Sequence, residues 1–436
     1  MEKFIIEGGV PLVGEIEISG AKNAVLPLMI TTILTDKDII LDNVPYLSDV
    51  LILCQLLEYL GVKVVAKSVH GVENLSHTMA DSFQLILNAS AMTNFLAPYT
   101  LVNQMRASFW VLAPLLARLG KAKVSLPGGC KIGTRQIDLH LAVLQAMGAT
   151  ISLQEGYVIA QVKNKLTGIN FSFNKISVGA TINAIFSASL AEGESIFTHC
   201  ACEPEIVDLC ALLIKMGVEI EGVGTRRIRV VGKSYLNGAQ HAVMPDRIEA
   251  GTFISAVGLT GGQLTLKGIY PSVIENFCAV FISAGLEISY SNHAVTVSSH
   301  QEIQPVNMQT APYPGFPTDL QAQFMSLMCL ANGISMIVER IFENRFMHVS
   351  ELRRMGANIT LQGNLAIVMG KTQFTGAVVT ASDLRASICL VLAALVAKNK
   401  TIIHDIYHID RGYSRIEKKL TLCGAHIIRS SCSSNV

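Results

Sequence analysis

Apolar and polar positions along the chain follow one arrangement six times over. A stretch that is apolar almost all round gives way to a short strand. An amphipathic helix follows, and then a glycine that opens directly into another strand. The glycine phrase is the clearest marker: YLGVKV at Gly61, AMGATI at Gly148, KMGVEI at Gly217, SAGLEI at Gly285, RMGANI at Gly356 and LCGAHI at Gly424. These glycines stand 87, 69, 68, 71 and 68 residues apart, so six units of about 70 residues account for nearly the whole chain. Each phrase predicts a helix stopped by a left-handed glycine and followed at once by a strand. The apolar stretches GAKNAVLPL, MRASFWVLAPL, SVGATINAIFSA, DRIEAGTFISA, TDLQAQFMSLM and SDLRASICLVLAAL carry Ala and Ser on every side, the mark of helices buried inside their domain. Six such units predict two domains of three repeats. The longer first spacing places an insertion near residues 65–95, where KSVHGVENLSHTMADSF reads as loop.

Composition narrows the class. Half of the 436 residues are hydrophobic and 15% are charged. The longest clean apolar runs, such as Ile388 to Ala397, still fall well short of the roughly 20 residues a spanning helix needs, so no membrane association is expected. The first 20 residues alternate and carry five charges, unlike a signal peptide, and a cytoplasmic location is expected. Ten scattered cysteines include no metal-ligand spacing beyond the tight Cys200-Ala-Cys202, so most read as buried thiols in a reducing compartment and no metal is expected. A net charge of +1 without a basic block gives nucleic-acid binding no support, and any anion site has to be local.

Local cations do occur, at the starts of the apolar helices. Lys22, Arg106, Arg247 and Arg385 stand there, with Asp319 in the equivalent place. A helix N-terminus already attracts anions and mildly disfavours a cation, so the combination points to an anion site. The stretch SLPGGCKIGTR is the other unusual segment. Pro127, Gly128, Gly129 and Gly133 make it a flexible loop, and Lys131 and Arg135 favour a thiolate at Cys130. Taken singly, each of these residues reads more readily as a surface or structural group than as a functional one.

Read together and in order, the motifs SGAKNA, MRAS, LPGGCKIGTRQIDLH, KISVGAT, EPEIVD, PDRIEAGTF, FPTDLQAQF, FENRFMH, SDLRAS and HIDRGY closely resemble, end to end, the UDP-N-acetylglucosamine 1-carboxyvinyltransferases of the enolpyruvyl transferase family. The resemblance implies an α/β fold of two inside-out barrels, each of three repeats with helices in the middle. It implies one domain over residues 22–244, a second from residues 1–21 and 245–436, and an active site in the interdomain cleft. The reaction implied is transfer of the enolpyruvyl group of phosphoenolpyruvate to the 3-hydroxyl of UDP-N-acetylglucosamine with release of phosphate, needing neither cofactor nor metal. The only partners implied are these two small molecules. This step opens bacterial peptidoglycan synthesis.

The same resemblance distributes roles. Lys22, Arg135 and Arg411 fall to the phosphate of phosphoenolpyruvate, Arg345 and Arg385 to its carboxylate, and Arg106 to the substrate anions. Cys130 is the general acid that protonates the methylene carbon, and the target of the epoxide antibiotic fosfomycin. Asp319 meets the sugar 3-hydroxyl as general base or as a positioning group; the sequence reads the same for both. Asn23 and Ile341 face the sugar nucleotide. Arg135, Gln136, Ile137, Asp138 and Leu139 run along the uridine, with Lys175, Ser177, Val178 and Gly179 near the diphosphate. Glu343 and Asp383 orient arginines. Domain closure over a bound nucleotide, with the Cys130 loop folding down, is the motion implied.

The chain departs from the pattern in its first-repeat insertion and at Cys202, where a basic residue is expected before Glu203. Two rivals remain. A transferase acting on shikimate 3-phosphate shares fold and chemistry, but the PGGC and RQIDL stretches argue against it. A non-catalytic paralogue that binds the sugar nucleotide would be free to lose Lys22, Cys130, Asp319 or Arg411, all of which are present.

Overall fold

The six repeat glycines share one backbone conformation: Gly61, Gly148, Gly217, Gly285, Gly356 and Gly424 have φ between 98° and 102°. Each ends an amphipathic helix, respectively Ser48–Leu60, Asp138–Ala146, Pro204–Lys215, Glu275–Ser283, His348–Arg354 and Ile416–Leu422. An L side chain is strained at such a φ, and the turn it permits sends the chain straight from helix into strand.

The computed structural model describes residues 2–68, 71–73, 82–127 and 137–431. They form two compact units, one from residues 20–127 and 137–244, the other from residues 2–19 and 245–431. Each unit holds three sheets. In the first unit the apolar helices are Lys22–Ile30, Leu112–Leu119 and Val178–Ser189; in the second they are Arg247–Thr260, Gln321–Met328 and Leu384–Ala394. All residues of Leu384–Ala394, and all but the last of Arg247–Thr260, are buried. In the second unit the three apolar helices pack on one another, with sheets outside. Helices in the middle and sheets around them make the inside-out α/β barrel that the family resemblance implies, and three sheets in each unit match the two domains of three repeats that the repeat pattern predicts.

Small polar residues suit these buried helices because their hydroxyls bond back to the preceding turn. Ser187 donates to the Asn183 carbonyl, Ser189 to Ile185, Thr252 to Ile248, Ser255 to Gly251 and Ser326 to Ala322. Gly251 permits a close crossing, since a Cβ there would lie 2.4 Å from Leu320 Cδ1.

Every sheet contains one parallel pair at an edge and antiparallel pairs beyond it. Among the described residues five sheets have four strands and one has five. The fifth strand corrects part of the loop reading of the insertion: residues 63–68 continue as strand and pair antiparallel with Gly71–Glu73, and a further strand covers Ser82–Asn88, while residues 69–70 and 74–81 lie outside the described residues. Gly71–Glu73 therefore adds an edge strand to that sheet. The sixth repeat is completed by the other end of the chain, because Glu2–Glu7 lies between Lys400–His404 and His426–Ser431, antiparallel to both.

All eight cysteines among the described residues are buried thiols. Burial pushes Cys54, Cys200, Cys210, Cys278 and Cys329 up to about 12. Cys202 lies against the Cys200 carbonyl, and the nearby positive charge is supplied by Arg226, whose Nη1 donates to that carbonyl at 2.9 Å. No helix among the described residues is long and apolar enough to cross a membrane.

Candidate active site

Two clusters of the residues singled out in the sequence form, one in each unit. In the unit built around residues 20–244, Lys22 is the first residue of its helix, and its ammonium lies 2.8 Å from Asp49 in the first turn of Ser48–Leu60. Their side chains are 12% and 2% exposed, so the lysine is directed by a carboxylate fixed in the core. Asn23 follows, half-buried.

Arg106 begins the 3-10 turn Arg106–Val111. From the same turn, Phe109 packs edge-on to His140, with ring centroids 5.7 Å apart. Burial, reinforced by the charge of Arg106, lowers the His140 pKa to about 3, so this imidazole is neutral. Its Nδ1 has no hydrogen-bond partner among the described residues. The start of Val178–Ser189 joins the group. Ser177 caps that helix by accepting from the Ala180 N–H at 3.3 Å, and a Cβ on Gly179 would lie 2.9 Å from Trp110 Nε1 and 3.1 Å from His140 Cε1. Ile137, Asp138 and Leu139 form the start of the helix carrying His140, while Lys175 is exposed just before Ser177. Arg106, the 137–139 turn and the 177–179 helix start are thus neighbours through His140. Cys130, Arg135 and Gln136 lie outside the described residues.

In the other unit, Asp319 sits in the 3-10 turn Thr318–Leu320 that leads into Gln321–Met328. Its Oδ1 accepts from Arg345 Nη2 at 2.8 Å and its Oδ2 from Arg385 Nη2 at 3.0 Å. The arginine side chains are each 5% exposed and the aspartate 24%. Arg385 is fixed from behind: its Nη1 donates to the Tyr413 hydroxyl at 3.2 Å, and that hydroxyl lies 2.8 Å from Thr252 Oγ1. Desolvation opposes its charge, but the charge and hydrogen bond of Asp319, together with Tyr413 and Asp246, outweigh this and raise the guanidinium's pKa. Arg345 stands over the Phe342 ring at 5.5 Å. Asp383 caps the helix that carries Arg385, accepting from the Arg385 and Ala386 N–H groups. Glu343 is exposed. Arg411 is half-buried in the turn that leads to Tyr413.

Sequence reasoning missed the group that organises this end of the unit. Glu339, 2% exposed, accepts from Thr310 Oγ1 and Thr318 Oγ1, each at 2.8 Å, and from the N–H groups of Ile341 and Phe342 at 2.7 and 3.2 Å. One carboxylate therefore holds the turn bearing Asp319 and the segment bearing Ile341. Its place directly after an ordinary alternating strand gave no signal. Among the described residues no three His, Cys, Asp or Glu side chains gather as metal ligands would.

The arrangement offers two guanidiniums sharing a carboxylate, and separately a lysine, an arginine and a helix start. This chemistry suits ligands with carboxylate and phosphate groups. A family model described as EPSP synthase (3-phosphoshikimate 1-carboxyvinyltransferase) matches residues 6–420. Proteins named UDP-N-acetylglucosamine 1-carboxyvinyltransferase from Rickettsia akari and Rickettsia felis are each 54% identical over 429 residues, covering 98% of this chain and 100% of theirs. The enolpyruvyl transferase NikO from Streptomyces tendae superposes with a TM-score of 0.87 at 23% identity, covering 98% of this chain and 99% of that one. EPSP synthase from Acinetobacter baumannii superposes with a TM-score of 0.74 at 17% identity, covering 99% and 100%.

Proposed function

The chain belongs to the EPSP synthase family of enolpyruvyl transferases, and from that premise we propose that it transfers the enolpyruvyl group of phosphoenolpyruvate to the 3-hydroxyl of UDP-N-acetylglucosamine, releasing phosphate. The observation that carries the choice of acceptor is the 54% identity, over essentially the full length of both chains, to carboxyvinyltransferases named for that sugar nucleotide. The likeness to EPSP synthase at 17% identity speaks for fold and not for shikimate 3-phosphate.

In this reading the sugar hydroxyl attacks C2 of phosphoenolpyruvate while C3 gains a proton. The resulting adduct then loses phosphate and a C3 proton to leave an enol ether. Cys130 delivers the proton to C3 and Asp319 takes the hydroxyl's proton. Arg345 and Arg385 hold the donor carboxylate, and Lys22, Arg135 and Arg411 its phosphate. The nucleotide runs along residues 135–139, with Lys175 and the Ser177–Gly179 helix start at the diphosphate, where free N–H groups and the helix dipole favour an anion. Arg106 and Asn23 complete the acceptor side, with Ile341 against the nucleotide sugar. The protein then serves the first committed step of peptidoglycan synthesis in the cytoplasm and is a target for fosfomycin through Cys130.

The test is phosphate release from phosphoenolpyruvate with UDP-N-acetylglucosamine, with shikimate 3-phosphate and with neither, comparing the intact protein with Cys130→Ser. Release that needs the sugar nucleotide and collapses in the variant is expected. A folded protein that binds the nucleotide and releases no phosphate is instead a binding paralogue.

A further inference from the structure

We propose that Asp319 stands in for the donor's carboxylate: it occupies the two guanidiniums that phosphoenolpyruvate's own carboxylate needs, so the base is released only when a carboxylate-bearing donor arrives. This rests on the reaction proposed above and adds a condition to it.

The geometry carries the argument. Each oxygen of Asp319 accepts from a different arginine, at 2.8 and 3.0 Å. A carboxylate bonded to two cations is held in its charged form and is a weak proton acceptor. The three groups are not equally fixed. The arginines are almost wholly buried and braced by the Phe342 and Tyr413 rings and the Tyr413 hydroxyl, whereas Asp319 is the outer, partly exposed member. The donor's carboxylate presents the same two oxygens to the same two forks. Two carboxylates cannot share them without like-charge repulsion, so the donor displaces the weaker-held aspartate.

Once displaced, Asp319 accepts the proton of the acceptor's hydroxyl. That hydroxyl oxygen bonds to C2 of the donor, and the C2–C3 double-bond pair takes up a proton at C3 from the general acid. Without a carboxylate-bearing donor Asp319 stays clamped and neither the hydroxyl nor water is activated. The same exchange makes Asp319 a specificity element, because an enol phosphate lacking the carboxylate leaves the base engaged.

Asp319→Asn and Asp319→Ala test this by separating binding from turnover. Titration calorimetry with phosphoenolpyruvate, on Cys130→Ser protein saturated with UDP-N-acetylglucosamine so that no turnover contributes heat, is expected to give binding about tenfold tighter when Asp319 is also replaced than when it is kept, while phosphate release is lost from the single Asp319 variants. Affinity unchanged or weaker in folded variants overturns the proposal. A wild type that binds no phosphoenolpyruvate at all overturns the functional reading instead. Should the variants fail to fold, a crystal structure of Cys130→Ser with both substrates decides: Asp319 detached from Arg345 and Arg385 is the expected result, and Asp319 still bridging them overturns the proposal.

Discussion

Replacing Glu339 offers the sharpest check on how the donor-side residues are held. Four donors converge on its carboxylate: two threonine hydroxyls and the N–H groups of Ile341 and Phe342. Glu339→Ala leaves all four without their acceptor in a site that is 2% exposed. At about 1 kcal/mol each after partial repair by water, the local cost is about 3–4 kcal/mol. In Glu339→Gln the amide oxygen keeps the three bonds made by Oε1, and the amide NH2 faces Thr318, whose hydroxyl turns to accept. Only charge assistance is lost, about 1–2 kcal/mol. Native-state hydrogen exchange reads this directly at the Ile341 and Phe342 amides. Protection there should fall about a hundredfold or more in the alanine variant and about tenfold in the glutamine variant. Because Thr318 adjoins Asp319, turnover should fall in the same order. Protection within threefold of wild type in Glu339→Ala, or equal losses in the two variants, would refute the reasoning.

Further predictions concern other parts of the molecule. His140 and His348 are buried and neutral, with pKa values lowered to about 3 and about 4, first by desolvation. Their unfolded counterparts protonate near pH 6.5, so between these values the unfolded chain binds more protons and stability declines as pH falls. Each histidine contributes about 1.4 kcal/mol per pH unit, and urea denaturation between pH 6.5 and 5 should show a slope that His348→Gln reduces; an unchanged slope would count against the burial argument. Gly179→Ala drives a Cβ to 2.9 Å from Trp110 Nε1 and should cost about 1–3 kcal/mol and weaken sugar-nucleotide binding; adding Trp110→Phe, which removes that nitrogen, should recover part of the loss in a calorimetric titration. Iodoacetamide at neutral pH should leave Cys54, Cys329 and Cys389 unmodified until the protein is unfolded, as read by peptide mass spectrometry, since burial raises each of these thiols far above neutrality.

The repeat architecture was legible because it depends on local rules. Only glycine sits easily at φ near 100°, and only a helix enclosed on all sides tolerates an apolar surface all round, so six phrases and six apolar stretches sufficed. Where the described part of the insertion departs from the loop reading, the reason is equally local: KSVHGVENLSHTMADSF is polar and carries a glycine, yet Gly71–Glu73 pairs as an edge strand of three residues, too short to show alternation. The charged helix starts identified Lys22, Arg106 and Arg385 as unusual. Nothing local could say that Asp319 meets Arg345 and Arg385, that Lys22 meets Asp49, or that Tyr413 backs Arg385. These pairings depend on how separate repeats pack, and a buried carboxylate such as Glu339 looks in sequence like any strand-end glutamate.

The strand Glu2–Glu7 has a consequence for how the protein comes into being. Its two neighbours, Lys400–His404 and His426–Ser431, are made last. At ~5–20 residues per second, roughly 20–80 s of synthesis separate the strand from the first of them. Throughout that interval Phe4 and Ile6, wholly buried in the finished molecule, have no sheet to enter. The unit spanning residues 20–244 has all its strands long before then and is free to fold on the ribosome, while the other waits for both ends of the chain. Nascent chains stalled before residue 400 should therefore carry one folded unit and an adhesive N-terminal strand, the natural client of a ribosome-bound chaperone.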